Sequence, residues 1–244
     1  MSTTTDEMVS DWEQNSPPAV IEREHPVTHG GLSELDATTR EEALRLAQTV
    51  FLAAAPYGPR AVVFSAVKTG EGCSYVSVRA AEALSALGAG SVCLVDGNLR
   101  SPSLHRYFHL HSDLGLVDAI FAQQTVRDFV QPAGVAGLSI LCAGSSFSDP
   151  SGAVNSRSLR IRMAELMSIF DYVIVDAPAA SLYADAAFLG RLVDGVVLVV
   201  EAGATRRHTA QKAKHDLESA GAAVLGVVLN KRTYPIPESI YRVL

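Results

Sequence analysis

The chain has 244 residues, 48% of them hydrophobic and 19% charged, a profile that suits one α/β domain with a large core. The net charge of −6 is uneven: residues 1–36 hold eight acidic side chains and one basic one, leaving 18 acidic and 19 basic in the remainder. A nearly neutral body excludes a basic nucleic-acid surface, and the absence of any apolar run near 18 residues excludes a membrane-spanning helix.

In chain order, residues 1–35 are polar, acidic and proline-bearing, and read as a disordered leader without the basic start of a signal peptide. "DATTREEALRLAQTVFLA" (36–53) reads as a helix with Leu44, Val50 and Phe51 as its apolar positions and a cap at Thr38 or Thr39. "AVVF" (61–64) is a strand, "AVKTGEGCSY" (66–75) a glycine-bearing loop, and "VSVRAAEALSALGAG" a helix. "SVCLVD" (91–96) and "LSILCAG" (138–144) are strands, with a short helix "LGLVDAIF" between them. The helix "SRSLRIRMAELMSIF" (156–170) leads into the strand "YVIVD" (172–176). The helix "ADAAFLGRLV", the strand "GVVLVVEA" (195–202), the helix "RRHTAQKAKHDLESAG" and the strand "AVLGVVLN" (223–230) complete the pattern. Three segments result: a leader (1–35), a folded domain (36–232) and a C-terminal tail (233–244).

Apolar strands alternating with amphipathic helices predict an α/β fold: a mostly parallel sheet with helices on both faces, in three layers. Ligands of such sheets bind at the carboxyl ends of the strands, where Lys68, Asp96, Asp176 and Asn230 fall.

Strand, glycine loop and helix form the context of a phosphate-binding loop, G-x-x-x-x-G-K-[ST]. Here Gly72 and Ser74 are present, but Cys73 stands where the lysine belongs. Backbone N–H groups of Gly70, Gly72, Cys73 and Ser74 at the positive end of the helix favour an anion whatever the side chains. A missing charge partner weakens phosphate binding by about 2–5 kcal/mol, and a thiol at a helix N-terminus tends toward a lowered pKa. Lys68 in the same loop is a candidate substitute. Ser74 is either a Mg²⁺ ligand or a plain helix cap, and Tyr75 reads chiefly as packing. Asp96 and Asp176 each end an apolar strand, and with Ser74 they make a metal cradle. Arg100 either contacts phosphate or pairs with Asp96. His105 and His109 would share a helix face, but with His111 they lack acid or cysteine neighbours at ligand spacing, and all three read as surface residues. Cys73, Cys93 and Cys142 form no framework, which suits a reducing, cytoplasmic compartment.

Four blocks, "FSAVKTGEGCSY", "VCLVDGNLRSPSLHRYF", "FDYVIVDAP" and "DGVVLVVEAGATRR…GAAVLGVVLNKR", resemble in order those of the bacterial tyrosine kinases of capsule and exopolysaccharide operons, relatives of the MinD/ParA ATPases. The resemblance runs from about residue 40 to 232 and implies a P-loop NTPase fold. It implies ATP or ADP with Mg²⁺ held by Lys68, Thr69, Gly70, Glu71, Gly72, Cys73, Ser74, Tyr75, Arg100 and Asn230, with Asp96, Asp176 and Lys68 in catalytic roles. It implies phosphoacceptor tyrosines near the C-terminus, here Tyr234 and Tyr241, and a homo-oligomer through a helix whose E-x-x-R pattern falls on Glu42 and Arg45. It also implies recruitment to the inner face of the membrane by a polysaccharide co-polymerase or chain-length-type adaptor. Three departures stand out: Cys73 for lysine, Asn98 for a second acid, and no tyrosine cluster at the C-terminus. They favour a kinase-like regulator or scaffold with weakened ATP binding or turnover. The alternatives are an active tyrosine autokinase and a MinD/ParA-like positioning ATPase.

Overall fold

The computed structural model describes residues 31–53, 57–145, 150–154 and 156–232; Tyr234, Tyr241 and most of the acidic leader lie outside them. A single turn at Leu32–Glu34 precedes α1 (Ala37–Ala47). The cap of α1 is Asp36, whose carboxylate accepts from the Thr39 N–H at 3.0 Å, and not Thr38 or Thr39 as expected; an aspartate is among the strongest residues for that role. A π-type turn at Gln48–Leu52 follows and seats Phe51 in the core, edge-on to Tyr172 at 5.8 Å.

Seven strands form one sheet in the order β3-β4-β2-β5-β1-β6-β7. They are β1 (Ala61–Ala66), β2 (Val92–Asp96), β3 (Gln131–Pro132), β4 (Leu138–Leu141), β5 (Tyr172–Ala177), β6 (Gly195–Glu201) and β7 (Val224–Asn230). Every pairing is parallel except β3 with β4. The β-branched runs of β1, β2, β5 and β6 are buried on both faces, the signature of covered parallel strands. β4 stops at Leu141, three residues short of the strand expected over 138–144. β3 was invisible in the sequence: two residues, one a proline, are tolerated only at a sheet edge.

One face of the sheet is covered by α1, α2 (Cys73–Ala86) and α3 (Leu104–Phe108). The other is covered by α4 (Leu116–Phe121), α6 (Arg157–Ile169), α7 (Asp185–Gly190) and α8 (Arg207–Ser219); α5 (Pro150–Val154) contributes Ala153 and Val154 to the same side. Residues 76–85 of α2 are all buried, so this helix is enclosed between sheet and α1 and carries no polar outer face. Its two charged residues pair with each other there, Arg79 to Glu82 at 2.7 Å. The enclosure fixes the helix whose N-terminus faces the strand ends, and so positions the site.

Candidate functional site

β1 carries the chain to the rim of the sheet, and residues 67–72 turn it into α2. Gly70 and Gly72 both take left-handed backbone, φ +86° and +85°. A Cβ on Gly72 would also run into the Asn230 amide, so position 72 requires glycine twice over. Gly72 is the residue that caps α2. Ser74 lies inside the first turn, which removes its reading as a plain cap. The first N–H groups of that turn have no intrahelical partner and lie at the positive end of a 14-residue helix, a site suited to an anion.

The loop is braced from behind. Glu71 is buried, and its carboxylate accepts from the Lys68 N–H at 2.9 Å and from the Thr205 hydroxyl. Asn230, from the end of β7, donates its amide to the Glu71 carbonyl at 2.8 Å. Lys231 donates to the Gly70 carbonyl at 2.6 Å and to Glu201 at 3.0 Å. Lys68, Thr69 and Gly70 are exposed on the rim. The Glu71 side chain is turned inward as part of the brace, while the Asn230 side chain reaches the loop itself.

Asp96 and Asp176 are register partners on adjacent strands, and both are fully buried. Asp96 accepts from the N–H groups of Ser103 and Leu104 at 2.9 and 3.0 Å through one oxygen. Asp176 accepts from Ser77 at 3.3 Å, sharing the single hydroxyl proton that Ser77 also offers to the Cys73 carbonyl at 3.0 Å. The second oxygen of each, Asp96 Oδ1 and Asp176 Oδ2, is buried without a hydrogen-bond partner. Burial, then the Asp176 charge, pushes Asp96 up to about 7 against the pull of its backbone donors. Burial likewise pushes Asp176 up to about 6, opposed by the neighbouring Ser74, Cys73 and Ser77 groups. Two orphaned carboxylate oxygens beside a serine hydroxyl, at the mouth of a phosphate-type loop, suit a hard divalent cation such as Mg²⁺. Bound there, such an ion would neutralise carboxylate and phosphate oxygens together.

Three expectations need correction. Cys73 does not carry a lowered pKa: burial and the adjacent Asp176 charge hold its thiol well above the usual value, outweighing the helix N-terminus. Arg100 does not pair with Asp96. Its guanidinium meets Asp185 at 2.8 Å and Ser151 at 2.7 Å and lies over the Tyr183 ring at 4.0 Å. His105 and His109 do not share a helix face, because His109 closes α3 in the left-handed conformation. Tyr75 packs against the core on the α2 side of the sheet, under the Arg79 guanidinium.

Ser77, Thr205, Glu201 and Lys231 are site residues that sequence reasoning missed. Ser77 was findable, since it lies one helical turn after Cys73 on the same face. The others come from a strand end and from loops more than 120 residues away, with no local signal.

No family model matches the chain. It is 30% identical over 171 residues to the tyrosine-protein kinase YwqD of Bacillus subtilis (strain 168), spanning 70% of this chain and 72% of that protein. The crystal structure of the chimerical protein CapA2B2 superposes with a TM-score of 0.74 at 26% identity, over 80% of this chain and 85% of that one. The septum site-determining protein MinD of Pyrococcus horikoshii OT3, complexed with Mg-ADP, has the same fold, with a TM-score of 0.59 at 23% identity over 76% of this chain and 77% of that one.

Proposed function

Because the chain belongs to the bacterial tyrosine-protein kinases, we propose that it is a kinase-like P-loop protein that binds ATP or ADP with Mg²⁺ and regulates or scaffolds capsule or exopolysaccharide assembly. The observation that carries this reading is the braced loop at the α2 N-terminus, set against two buried carboxylates with orphaned oxygens. Asp96, Asp176 and Ser74 would hold the Mg²⁺, and the backbone of Gly70–Ser74 the phosphates, with Lys68, Thr69 and Tyr75 at the loop's edge. Asn230 stands at the end of β7 for the nucleotide's remainder. Magnesium would supply the charge compensation that a phosphoryl group needs; these side chains orient the ion and hold it away from bulk water.

Turnover is weakened because Cys73 contributes no positive charge. A missing charge partner costs about 2–5 kcal/mol, or about 30- to several-thousand-fold in affinity, and more in rate if the charge acts mainly on the transferring group. Residues 36–232 would form the kinase-like domain, 1–35 a leader and 233–244 a tail offering Tyr234 and Tyr241 as acceptors. No helix among the described residues is long and apolar enough to cross a membrane; the reading is completed by cytoplasmic residence and recruitment by a membrane adaptor of the polysaccharide co-polymerase type, which its family membership supports. Glu42 and Arg45 would mediate self-association. The intact aspartate pair favours a second reading, an active autokinase using Lys68 as its cation, since Arg100 is engaged by Asp185.

Calorimetric titration with Mg·ATP and Mg·ADP tests the first reading. Binding at micromolar to sub-millimolar nucleotide is expected; none up to millimolar concentration rejects it. Phosphate on Tyr234 or Tyr241 that disappears in Asp176→Asn would move the conclusion to the second reading.

A further inference from the structure

The loop lacks a lysine at position 73, yet an ammonium group already lies against it. Lys231 follows β7 with a left-handed backbone, φ +54°, and its side chain turns back over the loop. Its Nζ is 2.6 Å from the Gly70 carbonyl oxygen, and its Cε is 4.0 Å from the place a Cβ on Gly72 would occupy. The charge is thus held one to three residues from the empty lysine position. We propose that Lys231 is the phosphate-binding cation of this loop, supplying from β7 the charge that Cys73 does not.

Its present partners leave it available. Glu201 accepts from it at 3.0 Å, but the two side chains are 44% and 31% exposed, and an ion pair that open to solvent is weak. A nucleotide's phosphates carry several charges and outcompete a single carboxylate. A lysine ammonium is a compact charge on a flexible four-carbon stem, able to leave Glu201 and Gly70 and turn to the terminal phosphates without moving the backbone. The other cations are placed less well for this. Arg100 is committed to Asp185, Ser151 and Tyr183. Lys68 is tied to Glu71 through its N–H while its side chain is exposed on the outer rim.

This inference rests on the nucleotide-binding reading, and the test separates the two. Mg·ATP, Mg·ADP and AMP are titrated into the natural chain, Lys231→Met, Cys73→Lys, and the double variant, with thermal unfolding as the folding control. Lys231→Met is expected to weaken Mg·ATP by about tenfold or more, as loss of a charge partner does, and AMP by less than about threefold. In the Cys73→Lys background the same change should cost less than about threefold, because the loop then has its own lysine. Equal losses in both backgrounds, or equal losses for ATP and AMP, would make Lys231 a structural brace and overturn the proposal. Unchanged Mg·ATP binding by Lys231→Met would overturn it too, while leaving the nucleotide site intact. Failure of the natural chain to bind Mg·ATP would reject the functional reading itself, and this inference with it.

Discussion

At the scale of single residues, the site is governed by two carboxyl groups that share one buried corner. Asp96 at about 7 and Asp176 at about 6 keep protons that the unfolded chain releases near pH 4. Between about pH 4 and 7 the folded state therefore binds more protons than the unfolded one, and stability falls as pH rises through that window. Metal reverses the preference, because Mg²⁺ needs both groups ionised; its binding should tighten from pH 6 to 8 and release protons. Asp96→Asn retains an acceptor for the Ser103 and Leu104 N–H groups and removes a buried charge. It is expected to raise metal-free stability at pH 7 by roughly 1–3 kcal/mol, to flatten the pH profile, and to abolish Mg²⁺-dependent nucleotide binding. Urea unfolding at pH 4.5, 6 and 7.5 reads all but the last; an unaltered profile would mean that Asp96 titrates normally. Both aspartates were legible in the sequence, as acids ending apolar strands. Their coupling was not, because only the strand order β2-β5 makes residues 80 positions apart into neighbours.

At the scale of elements, the phosphate loop owes its shape to two other strand ends as much as to its own glycines. Glu71 is the hub, joining Lys68, Thr205 and Asn230 across 134 and 159 residues of sequence. Losing the acceptor of two half-buried hydrogen bonds costs about 0.5–1.5 kcal/mol each, so Glu71→Ala should lower stability by about 1–3 kcal/mol. It should also raise hydrogen exchange in residues 67–72 and weaken Mg·ATP at least as much as Mg·ADP. Thr205→Val tests the same brace more gently, and protection of the loop unchanged in both variants would show that the glycines suffice. The strands themselves could be read from the chain because four of them are continuous apolar runs buried on both faces. The brace could not, since side-chain bonds between distant loops leave no periodicity. The α1 cap was misread for a simpler reason: Asp36, Thr38 and Thr39 fall within four positions, and Asp36 competes better than either threonine.

At the scale of the whole molecule, the question is how copies would meet. The outward side of α1 carries Glu42 and Arg45 in exposed positions. Among the described residues, the Arg45 guanidinium pairs with Glu41 at 3.3 Å, with both side chains 74% exposed. Such a pair contributes a few tenths of a kcal/mol, so a second copy can capture Arg45 at almost no internal cost. The inner side of α1 is a different matter, since Ala43, Ala47 and the following Phe51 are buried against the core. Replacing Glu42 and Arg45 together by alanine should therefore leave the unfolding midpoint nearly unchanged, as surface substitutions do within about 0.5 kcal/mol, while reducing the mass measured by light scattering to that of a single chain. An interface built on exposed charges also weakens as the screening length shrinks from about 10 Å at 0.1 M salt to about 3 Å at 1 M. Dissociation of the natural chain with rising salt, matched by the double variant at low salt, would place the contact on α1. A mass that stays high in the double variant would exclude α1 and direct attention to the edge strand β7, where Leu225, Val227 and Leu229 are exposed along one side and association would instead strengthen with salt.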